Sequence, residues 1–164
     1  MAALKLNPAG GRNPEELLRA GLSIQVSPTG WSMYPMFVPG RDWAVLEPIE
    51  PGYRVGRGDV ILFRRRGGIL VMHRVLSARP DGTFWFVGDN LPDIERGVGA
   101  DQLIGILTGF TRKGREHRVD EWTYRIASAA WLLLRPLRPL GHQIMSLARR
   151  LLRREGLASR QARQ

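Results

Sequence analysis

Short runs of apolar residues, many of them alternating with polar residues and separated by glycine and proline, occupy the middle of the chain. This pattern is typical of β-strands with one buried face. Glycines in the segment Arg65-Arg66-Gly67-Gly68 predict a hairpin, because glycine adopts the positive φ angles of tight turns. The predicted strands are Leu22–Val26, Trp43–Leu46, Asp59–Arg64, Ile69–Ala78, Thr83–Val87 and Leu103–Arg112. Residues 22–113 are therefore predicted to form a compact antiparallel or mixed sheet.

A short helix is predicted before this sheet. Asn13 can cap its first turn, Pro14 suits the first helical position, and the acidic residues that follow face the positive end of the helix. Gly21 is expected to end the helix after about two turns. Residues 1–21 are therefore assigned to an N-terminal helical segment. Its first 19 residues lack the continuous apolar core of a secretory signal, so no cleavable signal peptide is expected.

A helical periodicity replaces the alternating pattern after the last predicted strand. It starts near a cap at Asp120 and is interrupted by Pro136 and Pro139. Beyond Pro139, apolar residues at helical spacing are flanked by arginines: Leu140, Ile144, Leu147 and Leu151 beside Arg149, Arg150, Arg153 and Arg154. This pattern predicts a basic amphipathic helix, which either packs on the sheet or attaches to a membrane surface. Residues 114–157 are thus predicted to be a basic helical tail, and residues 158–164 to be disordered.

The net charge of +10 is concentrated in this tail. Residues 1–111 contain 12 Lys and Arg against 11 Asp and Glu, whereas residues 112–164 contain 13 against 4. A basic tail is attracted to anionic lipid, nucleic acid or acidic proteins alike. No convincing helix-turn-helix is present, so a membrane surface is favoured over nucleic acid as the partner of residues 120–154. No window has the roughly 18 uncharged apolar residues of a spanning helix, so peripheral or monotopic attachment is expected.

Candidate chemistry starts with Ser32, which lies between Gly30 and Pro35 in a segment where the backbone must turn. A fixed turn can expose a hydroxyl and direct nearby amide groups to one point, although serine, glycine and proline also build ordinary turns. The chain has no cysteine, which excludes disulfides, thiol nucleophiles and cysteine-based zinc sites. His117 and His142 lack ligand spacing, so no metal site and no cofactor are expected.

His73 lies on a predicted strand, on the same face as Val71 and Val75. Histidine at such a position is commonly a core residue, but an imidazole with a pKa of about 6.5 can accept the Ser32 proton at neutral pH if the two side chains meet. Asp89 and Asp93 follow another predicted strand and could orient the imidazole. An Asx-type turn is the alternative role for Asp89, and the two roles are compatible.

The order of these motifs resembles the signal peptidase I family and its LexA-type relatives. The resemblance spans about residues 27–109 and consists of Gly30-Trp31-Ser32-Met33-Tyr34-Pro35, Gly58-Asp59-Val60-Ile61-Leu62-Phe63, His73-Arg74-Val75, Gly88-Asp89-Asn90 and Ile104-Gly105-Ile106. It implies a mainly β fold and an endopeptidase that cuts exported or leader-bearing precursors after a small residue. Histidine at position 73, where bacterial members usually have lysine, resembles the endoplasmic-reticulum and archaeal type.

The resemblance also implies roles for individual residues. Ser32 is the expected nucleophile and His73 its base, with Asp93 favoured as the orienting carboxylate and Asp89 as a loop residue. Many family members have a serine where this chain has Gly30, so oxyanion stabilisation is expected from backbone amides instead. Gly30, Met33, Gly88 and Asn90 are the expected supporting residues of the oxyanion site and its loop. Two alternatives remain open, a retired peptidase fold serving as a membrane accessory protein and a LexA-type self-cleaving regulator.

Overall fold

The computed structural model describes residues 3–6 and 13–137 and shows a mainly β protein with a nine-stranded sheet in these residues. The strands are β1 Leu4–Leu6, β2 Ile24–Val26, β3 Trp43–Glu47, β4 Val60–Arg64, β5 Leu70–Ala78, β6 Thr83–Val87, β7 Ile94–Gly99, β8 Leu103–Arg112 and β9 Arg115–Arg118. Helix α1 is Pro14–Arg19 and helix α2 is Trp122–Leu133, with 3₁₀ turns at Ala100–Gln102 and Arg135–Leu137. The predicted fold class, mainly β with a short N-terminal helix, is confirmed.

The strand order is β1-β2-β3-β8-β4-β5-β6-β7, and β9 pairs with β8 outside this path. β1 and β2 are parallel, whereas the other neighbouring strands are antiparallel. β8 is the longest strand, with 10 residues, and it pairs with β3, β4 and β9. A segment this long can join several short strands, so β8 holds the two halves of the sheet together.

All six predicted strands are present, five of them with bounds within one residue of the prediction. The predicted hairpin joins β4 and β5, where the amide of Arg65 donates to the carbonyl of Ile69 at 2.9 Å. Gly67 and Gly68 have φ angles of 101° and 88°, which explains why two glycines occupy this turn. The predicted cap of α1 is also confirmed, because the side chain of Asn13 accepts a 3.0 Å hydrogen bond from the amide of Glu15.

Three observed strands were not predicted: β1, β7 and β9. β1 lies in the segment expected to be helical, and β9 lies in the expected helical tail. β7 contains the polar sequence Glu95-Arg96 followed by Gly97, which has a φ angle of 69°. Neither β7 nor the charged β9 has the alternating apolar pattern of a strand, so only their pairing with β6 and β8 reveals them.

The chain divides into two compact units, residues 1–129 and 130–164. The first contains the sheet, and residues 130–137 are the described part of the second. α2 starts two residues after Asp120. The amphipathic helix predicted beyond Pro139 and the disorder predicted for residues 158–164 lie outside the described residues. In the part of the chain that is described, no helix is both long enough and apolar enough to cross a bilayer.

Strand β4 is buried on both faces and separates two apolar clusters. Val60 and Leu62 belong to one cluster, and Ile61 and Phe63 belong to the other. His73 pairs with Ile61 across β4 and β5, so its side chain lies on the side of the second cluster. The sheet therefore presents His73 from a rigid, buried strand.

Candidate active site

Ser32 lies in the loop between β2 and β3, and this loop is anchored in the core on both sides of the serine turn. Met33 and Phe37 are almost fully buried, and the amide of Phe37 donates to the carbonyl of Met33 at 2.9 Å. The amide of Tyr34 donates to the carbonyl of Trp31 at 3.1 Å, which closes a turn around the serine. Ser32 itself is half-buried. The local sequence thus fixes the backbone at Ser32 and leaves the residue partly accessible.

Buried Asp42 closes the far end of this loop. Its side chain accepts a 2.9 Å hydrogen bond from the amide of Val38 and a pair of 2.7 Å bonds from Arg41. The carbonyl of Asp42 accepts a 3.2 Å bond from the hydroxyl of Ser27. These bonds join the start and the end of the segment that carries Ser32, so the serine loop is fastened at its base as well as at its turn.

The loop between β6 and β7 packs directly on the backbone of Ser32. The amide of Asn90 donates to the carbonyl of Ser32 at 2.8 Å. A Cβ atom at Gly88 would lie 2.8 Å from the same carbonyl oxygen and 3.0 Å from the side chain of Leu91. Only glycine permits this approach, so Gly88 and Asn90 together hold the serine loop in place.

His73 is buried, with 3% of its surface exposed. Its Nδ1 atom has no hydrogen-bond partner among the described residues and lies 3.7 Å from Oε2 of Glu95. Burial lowers the pKa of His73 below its ordinary value of 6.5, the charge of Glu95 opposes this effect, and Arg65 adds to it. His73 is therefore neutral at pH 7, which is the state that can accept a proton.

Asp89 is committed to a buried ion pair with Arg74. The two side chains are each 2% exposed and form a two-point contact of 2.9 and 2.7 Å. Arg74 also donates to the carbonyl of Gly58 at 3.0 Å, to the hydroxyl of Tyr124 at 3.2 Å and to that of Ser128 at 2.6 Å. Burial acts to lower the pKa of Arg74, but the hydrogen bonds and charge of Asp89 more than offset it, so the net shift is upward. Asp89 thus ties its loop to β5.

Asp93 is exposed at the end of the same loop, one residue before β7. Within the described residues it makes no ion pair with His73, and the charges that act on the histidine are those of Glu95, Arg65 and Asp89. The structure therefore places Glu95, rather than the favoured Asp93, beside the imidazole. Sequence reasoning missed Glu95 because it missed β7, whose polar residues and Gly97 give no apolar alternation, so the pairing with β6 is the feature that identifies this strand.

Ser32 and His73 line one cleft of about 350 Å³. Its other lining residues are Ser27, Pro28, Thr29, Gly30, Met33, Leu62, Arg65, Leu70, Val71, Met72 and Leu91. No hydrogen bond joins Ser32 to His73 in the described part of the chain. Gly30 is exposed, and a Cβ atom there would meet nothing within 4 Å. The structure thus brings the two expected catalytic residues to one cleft, with Gly30 and Met33 beside them.

The cleft also contains an unpaired edge of the sheet. β5 pairs with β4 from Leu70 to Arg74, but its pairing with β6 begins only at Arg74. Among the described residues, no strand therefore pairs with Leu70–His73 on the side away from β4. Such an edge offers backbone donors and acceptors to an extended peptide.

The chain matches no protein-family model, no curated protein and no solved structure. No group of three or more histidine, aspartate or glutamate side chains suited to a metal ion is present in the described residues.

Proposed function

We propose that the protein is a serine endopeptidase of the signal peptidase type that cleaves exported or leader-bearing precursors. The observation that supports this most strongly is that Ser32 and the buried His73 line the same cleft. The lowered pKa of His73 keeps the imidazole neutral at pH 7, as a general base requires. The motifs quoted above from Ser32 to Ile106 support the assignment to this family.

In the proposed mechanism, His73 removes the hydroxyl proton of Ser32 as the serine oxygen attacks the peptide carbonyl. The tetrahedral intermediate collapses, the carbon–nitrogen bond breaks, and the leaving amine takes the proton from His73. Water then loses a proton to His73 and attacks the acyl ester. The ester bond to Ser32 breaks, the serine oxygen takes the proton back from His73, and the carboxyl product leaves. The amide of Ser32 donates to no acceptor among the described residues, so it is available to stabilise the oxyanion.

The substrate would bind as an extended strand along the free edge of β5. Backbone groups of Leu70–His73 would hydrogen-bond to it, and the serine loop at Ser27–Gly30 would form the other side of the cleft. The lining is mainly apolar, which suits short uncharged side chains near the cleaved bond. This mode of binding places a peptide carbonyl beside Ser32 without requiring a long sequence motif in the substrate.

We further propose that the cleft approaches a membrane surface. Trp31 and Tyr34, whose ring centroids are 5.8 Å apart, are 58% and 44% exposed beside the nucleophile. Ile69, next to the cleft residue Leu70, is 62% exposed. Aromatic residues of this kind favour the interface between lipid and water. The double variant Trp31→Ala/Tyr34→Ala should sediment less with anionic vesicles than the wild type, and equal sedimentation would contradict the proposal.

Cleavage of a fluorogenic leader-peptide substrate in detergent micelles at pH 8 tests the peptidase assignment. Wild type should cleave it, and Ser32→Ala should not. Ser77→Ala is the matched control, because Ser77 lies on β5 outside the lining of the cleft and its hydroxyl donates to the neighbouring carbonyl of Ala78 at 3.3 Å. Equal rates for wild type and Ser32→Ala on a broad set of peptides would contradict the proposal and favour the accessory-protein alternative.

A further inference from the structure

The buried nitrogen of His73 faces a carboxylate that the family motifs do not include. Nδ1 of His73 lies 3.7 Å from Oε2 of Glu95, which is too long for a hydrogen bond, and it has no other partner in the described residues. A buried polar atom without a partner is unfavourable. A small shift of either side chain would close this gap, and the gain would be greatest when the imidazole becomes positively charged.

Glu95 is held in this position by Arg65. The Nε atom of Arg65 donates to Oε1 of Glu95 at 2.8 Å, and its Nη2 atom donates to Oε2 at 2.5 Å. Oε2 is also the atom that faces His73. Arg65 belongs to the turn after β4 and Glu95 to β7, so the contact fixes the carboxylate from a different part of the sheet. A two-point contact between arginine and carboxylate restricts rotation more than a single bond does.

The two aspartates of the preceding loop are placed for other roles. Asp89 forms the buried ion pair with Arg74, and Asp93 is exposed. The charged groups that act on His73 are Glu95 from β7, Arg65 from the turn after β4, and Asp89 from the loop after β6. Of these, only Glu95 is a carboxylate within 4 Å of the imidazole in the described residues.

We propose that Glu95 is the positioning residue of His73 and that Arg65 fixes Glu95 in turn. Glu95 keeps the proton of neutral His73 on Nδ1, so that Nε2 is free to take the proton of Ser32. It also stabilises the imidazolium that forms while the serine is being acylated. The inference rests on the proposed function for its catalytic consequence, but the contact between Glu95 and His73 can be tested without a substrate.

The experiment compares Glu95→Gln with Asp93→Asn by measuring kcat/KM against pH and titrating the His73 ring by NMR. Glutamine has the shape of glutamate but no charge, so Glu95→Gln should lower the His73 pKa further, reduce the share of the Nδ1–H tautomer, and decrease kcat by roughly 10² to 10⁴-fold. Asp93→Asn should leave the tautomer and kcat unchanged. Arg65→Gln should decrease kcat, because it removes the two-point contact that holds Glu95 beside His73.

The NMR titration separates failure of this inference from failure of the proposed function. If Glu95→Gln changes the His73 titration and wild type cleaves no peptide, the peptidase assignment fails but the pairing of Glu95 with His73 stands. If wild type cleaves peptides and Glu95→Gln leaves both the titration and kcat unchanged, the inference is overturned. It is also overturned if Asp93→Asn, and not Glu95→Gln, produces these changes.

Discussion

The backbone amide of Asn90 donates a 2.8 Å hydrogen bond to the carbonyl oxygen of Ser32. This bond joins two segments that are far apart in the sequence and are carried by different strands. The Arg74–Asp89 ion pair fastens the same loop to β5, next to His73. The loop at Gly88–Asn90 therefore sets the position of the serine relative to the histidine, although the structure of the described residues shows no hydrogen bond or ion pair from Asp89 or Asn90 to the imidazole.

Gly88→Ala should reduce kcat while leaving the fold intact. The new Cβ atom would lie 2.8 Å from the carbonyl oxygen of Ser32, so the serine loop has to shift. A displacement of about 1 Å at a catalytic group decreases the rate by on the order of 10²-fold. Gly30→Ala is the matched control, because a Cβ atom there has free space. Steady-state kinetics and thermal unfolding of both variants check this, and wild-type kcat in Gly88→Ala would refute it.

Asp89→Asn should destabilise the protein by about 3–5 kcal/mol, because it leaves the buried cation of Arg74 without its counter-charge. Asp93→Asn is the control in the same loop, and its exposed position predicts a change within about 0.5 kcal/mol. Urea unfolding at pH 7 measures both free energies. Similar stabilities for the two variants would show that the Arg74–Asp89 pair does not hold the loop to the sheet.

The stability of the protein should decrease as the pH falls below about 6.5, and His73 should account for part of this decrease. The pKa of His73 is lower in the folded chain than its ordinary value of 6.5, so below that pH the unfolded state binds the proton more readily. The contribution of His73 to the free energy of unfolding is therefore complete above pH 6.5, and it is lost as the pH falls toward the lower pKa of His73 in the folded chain. Urea unfolding between pH 5 and pH 8 should show that the free energy of unfolding depends less steeply on pH in His73→Gln than in wild type. Identical slopes in the two proteins would contradict the lowered pKa of His73.

Gly30→Ser should increase kcat. Under the proposed assignment, many signal peptidases have a serine at this position, and a Cβ atom at Gly30 would meet nothing within 4 Å. A hydroxyl there would add a donor to an oxyanion site that otherwise uses backbone amides, and a single such donor can change kcat by about 10² to 10³-fold. Gly30→Ala separates the hydroxyl from the added carbon atom. If the serine variant is no faster than the alanine variant, position 30 does not face the oxyanion.

The sequence predicted those parts of the fold that local patterns encode. The strand from Thr83 to Val87, for example, has the same bounds in the structure because β-branched and aromatic residues favour an extended backbone wherever they lie. The cap at Asn13 and the turn at Gly67-Gly68 also depend only on neighbouring residues. Such features are determined within a few residues of the chain and can therefore be inferred without knowledge of tertiary contacts.

The parts that the sequence did not predict depend on long-range pairing. β7 is recognisable only from its hydrogen bonds to β6, and the polar residues Glu95 and Arg96 with Gly97 give it no apolar alternation. Because β7 was missed, Glu95 was not considered as a neighbour of His73. The ion pair between Glu95 and Arg65 spans 30 residues, a distance over which periodicity carries no information.

Ser32 and His73 are proposed to act as one catalytic unit, and a double-mutant cycle on cleavage of the leader peptide measures their coupling. Ser32→Ala, His73→Gln and the combined variant are compared with wild type under the same conditions, after circular dichroism has confirmed that each is folded. Each single substitution should abolish most of the rate, and the combined variant should lose no more than either alone, because residues that act together are not additive. Cleavage retained in either single variant, or losses that multiply in the combined variant, would show that Ser32 and His73 do not act as one unit.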